Sequence, residues 1–270
     1  MLIDVHTHIF ADKIAAKATE FLTEYYSISV PYKGTLTELA QIAIKEQFDA
    51  IVCFNAATKP TQVKKANDWI IKHIPSQIDE MLKIVRFGCY HVGDKNWKNE
   101  IDRLRSAGIK GIKIHPEFQN IDLSDERLYP LFEEIKDDFV VLVHVGDPVI
   151  SQDNRSTPRK IAKLALKFPR TRFIAAHMGG YLFWDDAIEQ LRDVNVWVDT
   201  SSAMEYITQE KAKELFDAFG VERILLGSDY PMQTPGGAMR LLDERMPWLT
   251  GGDRDRIFGN NAAELLNLND

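Results

Sequence analysis

Cysteine is nearly absent: two occur in 270 residues. Cys53 and Cys89 fall in separate apolar segments and match no CxxC or zinc-ribbon spacing, which argues against a disulfide framework and a thiolate metal site. They read as reduced, buried thiols. Basic charge is also in deficit, with 33 Lys plus Arg against 40 Asp plus Glu and a formal charge of −7. That balance disfavours a phosphate-binding surface and therefore nucleic acid as a partner. No run approaches the roughly 18 apolar residues a membrane span needs, and Met1 leads into a strand pattern without a basic or long apolar leader. The expectation is a cytoplasmic protein without a membrane segment. The stretch HTHIFADK after the first apolar run lacks the glycine-rich turn of a doubly wound nucleotide-binding sheet. No internal repeat, low-complexity tract, heptad pattern or self-complementary stripe stands out, so the oligomeric state is open, with a homodimer compatible with the fold expected below.

What is present is a large apolar fraction, 45%, arranged in short continuous runs that alternate with longer amphipathic stretches. The runs predict eight strands: Leu2 to His6, Asp49 to Phe54, Lys83 to Cys89, Lys110 to His115, Phe139 to His144, Arg172 to His177, Val194 to Val198 and Arg223 to Gly227. Helical patterns cover Asp12 to Tyr26, Thr61 to His73, Trp97 to Ala107, Asp125 to Lys136, Thr157 to Phe168, Ile188 to Arg192 and Gln209 to Phe219. Gly108 and Gly220 sit where helices should stop, Pro158 where one should start, and IFGNNAAELLNL reads as a terminal helix capped near Asn260 or Asn261. Eight strand and helix units in a chain close to the roughly 250 residues typical of the fold predict an α/β protein, a single (β/α)8 TIM barrel over residues 1–270.

Five of the seven histidines fall at or just beyond the carboxyl ends of predicted strands. His6 and His8 lie in LIDVHTH, His115 in GIKIHP, His144 in VVLVHVGD and His177 in FIAAHMGG, and Asp229 follows the last strand in ILLGSDYP. Barrel enzymes build their sites at that end of the strands. Residues two apart on a strand share a face, so His6 and His8 can present both imidazoles to one ion. A mixed imidazole and carboxylate shell suits one divalent cation, zinc first, with manganese, iron or cobalt as alternatives.

In order and spacing, DVHTH, VLVHVGD, AAHMGG and LGSDYP resemble the amidohydrolase superfamily, in particular the branch containing aminocarboxymuconate-semialdehyde and resorcylate decarboxylases. The likeness runs from Leu2 to IFGNNAAELL. It implies a metal-dependent (β/α)8 barrel in which His6, His8, His144 and Asp229 are metal ligands and His177 contacts the metal-side water or the substrate. Strand four departs from the binuclear pattern, because His115 occupies its end and Lys113 lies two residues deeper. A second metal is therefore disfavoured. Lys113 is expected to pair with Asp4, and His115 to face the substrate.

Three functions follow from that site. The first is hydrolysis of an amide, lactone or ester bond of a small organic substrate, since a bound divalent ion makes hydroxide available near neutral pH. Asp229 would be the proton-transferring base and His177 the group that orients water. The second is non-hydrolytic decarboxylation of an aromatic or unsaturated acid. The third is a catalytically silent ligand-binding barrel. Few long loop insertions favour hydrolysis over decarboxylation. The loop GDPVISQDNRSTP, with Asp147, Asp153 and Arg155, is the candidate recognition loop, and Asn55, His91, Phe118, Tyr181, Trp184, Tyr230 and Met232 are candidate pocket residues.

Overall fold

In the computed structural model, which describes residues 1–78, 81–151 and 153–268, eight strands run parallel in sequence order. They are β1 (Ile3–His8), β2 (Ala50–Phe54), β3 (Leu82–Cys89), β4 (Gly111–Ile114), β5 (Val140–Val143), β6 (Arg172–Ala175), β7 (Trp197–Asp199) and β8 (Ile224–Leu225). A two-residue strand, Gln77–Ile78, pairs antiparallel with β3 outside the ring. Val5 N donates to Leu226 O at 2.9 Å, Asp229 N to His6 O at 2.9 Å and His8 N to Tyr230 O at 2.8 Å. These bonds join the last strand to the first and close the barrel.

Buried on both faces, the strands need apolar residues at nearly every position, and alternate residues go to different layers. Val140, Leu142 and Ile174 join one apolar cluster with Val52, Phe54 and Phe87. Val141, Val143 and Phe173 join another, shared with helix residues Leu131, Phe132 and Ile161.

The helical layer comprises α1 (Asp12–Tyr26), α2 (Leu36–Lys45), α3 (Val63–His73), α4 (Trp97–Ser106), α5 (Pro116–Gln119), α6 (Tyr129–Ile135), α7 (Pro158–Lys167), α8 (Trp184–Leu191), α9 (Gln209–Phe219), α10 (Pro235–Arg245), α11 (Gly251–Asp255) and α12 (Asn261–Leu266). The bounds of α1 and α9 match the sequence expectation. Helix α8 begins four residues earlier than its apolar periodicity suggests, and the stretch from Asp125 opens as a 3-10 turn, Glu126–Leu128, before α6. Strand seven is displaced, because Val194 and Val196 form a tight turn after α8 and pairing starts only at Trp197. Helices α2 and α10, unread in the sequence, are short and capped by Thr35 and Thr234. Asn260 and Asn261 do not cap the last helix: a π-helical turn, Arg256–Asn260, runs into it, and Asn261 Nδ2 instead donates to Val221 O and Ile224 O. Cys53 and Cys89 are free and buried. No helix among the described residues is long and apolar enough to cross a membrane.

Gly146, just past β5, has φ +94 and sits where an added Cβ would lie 2.3 Å from Tyr181 O and 2.5 Å from Tyr181 N. Only glycine permits that approach. Gly108, at φ +69 after α4, has nothing within 4 Å of its Cβ position. Gly146→Ala should therefore lower the unfolding free energy by more than about 2 kcal/mol, and Gly108→Ala by about 1 kcal/mol from backbone strain alone. Chemical denaturation of the two variants checks this; equal losses would show that the Tyr181 approach is not tight.

Candidate metal centre

The HxH pair lies at the end of β1, with His6 fully buried and His8 partly so. Asp229 follows β8 in a left-handed conformation, φ 59, which aspartate tolerates better than most residues. Closure of the barrel brings its Oδ1 to 3.3 Å from His6 Nε2 and 3.2 Å from His8 Nε2, while the two Nε2 atoms are 3.3 Å apart. Neighbouring ligands of an ion with bonds of about 2.1 Å lie about 3.0 Å apart in an octahedron and about 3.4 Å apart in a tetrahedron. The three donor atoms have the spacing of a shared ion.

Protonation states agree with that role. Burial, followed by the nearby Lys113 ammonium, lowers the His6 pKa to about 4, and burial lowers His8 as well. Burial works to raise Asp229, but His6 and His8 outweigh it and hold the carboxyl well below its ordinary range. Two neutral imidazoles and one carboxylate are what a divalent cation requires.

Asp199, at the end of β7, is the residue the sequence reading passed over. Its Oδ2 accepts from His6 Nδ1 at 2.9 Å, and both side chains are fully buried. Burial works to raise Asp199, yet its contact with His6 holds it at about 2. Keeping the His6 proton on Nδ1 turns the Nε2 lone pair toward the ion, the usual office of a carboxylate behind a metal-binding histidine. The signal was visible as an aspartate ending the apolar run VWVD, but that run was placed too early.

His144 and His177 form a second pair beside the first. His177 Nδ1 lies 2.9 Å from Ser201 O, and His144 Nε2 lies 3.1 Å from Gly146 O. A carbonyl accepts only, so each outer nitrogen carries the proton in the neutral ring. The inner atoms, His144 Nδ1 and His177 Nε2, then face each other with lone pairs at 2.9 Å, an arrangement favourable only around a positive charge. His144 stands one residue away from the compact group of His6, His8 and Asp229 and connects to it through His177, whose ring centroid is 5.1 Å from that of His6. His115 directly follows β4, caps α5 through Nδ1, and stacks between Phe118 and His144 at 3.8 Å and 3.9 Å. Tyr26 Oη reaches its Nε2 at 3.4 Å.

Lys113 does not pair with Asp4. Its Nζ lies 3.2 Å from His6 Nε2 and 4.8 Å from the centre of the Phe54 ring, and burial lowers its pKa to about 7. Asp4 instead accepts from the backbone of His6 and Ser228. A divalent ion on His6 must displace Lys113 from that lone pair, which an amine so near neutrality allows. Arg155 does not face the mouth either: its guanidinium is engaged by Asn120 and Glu117.

Helix α1 covers the mouth and leaves two spaces. One is a gap of about 20 Å³ bordered by Tyr26, His144, His177, Tyr181, Ser202, Asp229 and Met232, among others. The other is a cavity of about 460 Å³ reaching from His8, Asn55 and His115 outward between α1 and α3. Of the remaining candidate pocket residues, Phe118 lines this cavity. His91 is held by Gln119, Trp184 donates to His177 O, and buried Tyr230 donates to Glu38.

Two outcomes follow from these geometries. Asp199→Asn should weaken metal affinity by about 10- to 100-fold with the circular dichroism of the fold retained; unchanged affinity would remove Asp199 from the site. In the metal-stripped protein, His6, His8, His115 and His144 are all held below their ordinary value of 6.5 by burial first. Between about pH 6.5 and 4 the unfolded chain therefore binds more protons at these positions, and stability falls as pH drops. Asp4, raised to about 7 by burial, opposes this, as do Glu117 and Glu205, which burial also raises. The denaturation midpoint should be lower at pH 5 than at pH 7, and a midpoint unchanged or higher at pH 5 would contradict it.

The fold finds counterparts among known proteins. 5-Carboxyvanillate decarboxylase LigW from Sphingomonas paucimobilis superposes with a TM-score of 0.73 at 16% identity, covering 98% of each chain. A dihydroxybenzoic acid decarboxylase from Polaromonas sp., solved with bound manganese and the inhibitor 2-nitroresorcinol, gives 0.72 at 15% identity over 100% of this chain and 97% of its own. An amidohydrolase from Burkholderia multivorans, solved with bound zinc, gives 0.71 at 13% identity over 99% of each. No curated protein matches. Residues 3–268 match the amidohydrolase family model, and the chain belongs to that family.

Proposed function

We propose that this amidohydrolase-family barrel is a metal-dependent decarboxylase of a small organic carboxylic acid. His6, His8 and Asp229 would hold the cation, with His144 joining them. The observation that carries the reading is the cavity of about 460 Å³ that opens onto His8 and His115 and is walled largely by apolar side chains, Phe10, Leu22, Trp69 and Phe118 among them. A carboxylate loses hydration on entering such surroundings, and cleavage that disperses its charge into carbon dioxide and the organic fragment gains from them. The decarboxylase names of two structural relatives agree with this chemistry.

A bound divalent cation supplies positive charge that anchors the anionic substrate and withdraws electron density from it. The mixed donor set suits zinc first and manganese next. The chain's own groups do the remaining work. Tyr26 keeps its phenolic proton, since burial pushes its pKa far above the ordinary value, and its oxygen accepts from His115 Nε2, because His115 Nδ1 takes the Phe118 N–H. That bond and the stacks on Phe118 and His144 fix the His115 ring, which presents its edge to the cavity. His177, held through Nδ1 by Ser201, stands beside His144 and Asp229; taking a proton from water onto its inner Nε2, it would deliver that proton to the carbon that carbon dioxide leaves. One ion is proposed.

Hydrolysis is the second reading, favoured by the gap of about 20 Å³ between His144, His177 and Asp229. Its size suits a single water molecule, with Asp229 as base and His177 as the orienting group. Turnover in isotopic water separates the two. Decarboxylation predicts carbon dioxide release and one deuterium on carbon from D2O, with no oxygen-18 from H2(18)O in the organic product. Oxygen-18 in a new carbon–oxygen bond would establish hydrolysis instead. Asp229→Asn should lower kcat by at least about 10³-fold on either reading, and full activity in that variant would remove Asp229 from the chemistry.

A further inference from the structure

Lys64 on α3 pairs with Asp68 at 2.9 Å, but its neighbour Lys65, and Lys13 on α1, enter no ion pair found among the described residues. Both lie on the lining of the same cavity, on the two helices that bound it. Ile14 and Phe21, also on that lining, are left 50% and 48% exposed. A helix that half exposes large apolar side chains beside unpartnered ammonium groups has the surface of a site shaped for a molecule that is apolar along its body and anionic at one end.

Size narrows the class. A cavity of roughly 150 Å³ accommodates benzene. The space here, about 460 Å³, is about three times that and lies within the range of sites for larger small molecules. A single-ring acid whose carboxylate sat at His8 and His115 would leave most of it unfilled.

Resting on the site assignment above, we infer that the cavity between α1 and α3 is a substrate subsite for an apolar body larger than one aromatic ring, ending in an anionic group that lies against Lys13 and Lys65. The reacting carboxylate sits at the His8 and His115 end, and the second anion at the far lip. Ala18 on α1 and Ala66 on α3 face the intervening space and set how much body it admits.

The test uses the metal-loaded enzyme and three probes: 8-anilinonaphthalene-1-sulfonate, which is multi-ring and anionic; N-phenyl-1-naphthylamine, of similar shape and uncharged; and benzoate. Ala18→Trp and Ala66→Trp, two independent ways of filling the space, should each weaken the anionic naphthalene probe by about tenfold or more while benzoate affinity changes less than about twofold. The double variant Lys13→Glu/Lys65→Glu should weaken the anionic probe by about tenfold and leave the neutral one within about twofold. Wild-type binding of the anionic probe by both tryptophan variants, or equal loss of charged and neutral probes on charge reversal, would overturn the inference. Binding is read without turnover. Failure of the decarboxylation reading therefore leaves this result standing, while decarboxylation of single-ring acids alongside unaltered probe binding in the filled variants would sink the subsite alone.

Discussion

Imidazoles crowded into a buried space favour a positive charge between them, and we propose that the mouth of this barrel is organised around that preference. Asp199 fixes the proton of His6 on Nδ1, and the carbonyls of Ser201 and Gly146 do the same for the outer nitrogens of His177 and His144. Each anchor turns a lone pair inward. Without a cation those lone pairs repel; with one, we propose, His6 and His144 would join His8 and Asp229 as its ligands and His177 would stand beside them. Lys113 meets part of the demand at His6 Nε2, but at a pKa near 7 its charge is easily surrendered to a stronger cation.

The barrel makes this possible because its strands end in register. His6, His144, His177, Asp199 and Asp229 come from five different strands or the turns directly after them, over more than 220 residues of chain. No loop by itself could hold them within hydrogen-bonding distance. Helix α1 then does what the strands cannot. It crosses the mouth, sends Tyr26 down to His115, and separates a small polar gap from a large apolar cavity. The two candidate chemistries differ mainly in which of those spaces the reaction uses.

Much of this was legible in the sequence, because strand periodicity, the HxH spacing and the aspartate after strand eight are local signals. Both strand one and helix α1 appear where the apolar pattern puts them. What escaped had non-local causes. Asp199 was missed because the apolar run that leads to it starts with a turn, so strand seven and its last residue were misplaced. Lys113 was assigned to Asp4 from strand depth alone, although a four-carbon side chain spans a layer and reaches His6. Arg155 reads as a free loop cation in one dimension and is captured by Asn120 and Glu117 in three. The number of loop insertions does not separate hydrolysis from decarboxylation, because 5-carboxyvanillate decarboxylase superposes over 98% of its own chain. The cavity had no sequence signature at all, since it is formed between two helices more than 30 residues apart.

The most direct test of the shared-cation account is anomalous scattering from crystals grown with zinc or manganese. The account predicts one strong peak about 2.0 to 2.2 Å from His6 Nε2, His8 Nε2 and Asp229 Oδ1, with Lys113 Nζ moved off His6. A peak bound elsewhere, or no peak at saturating metal with the three side chains in their present positions, would contradict it.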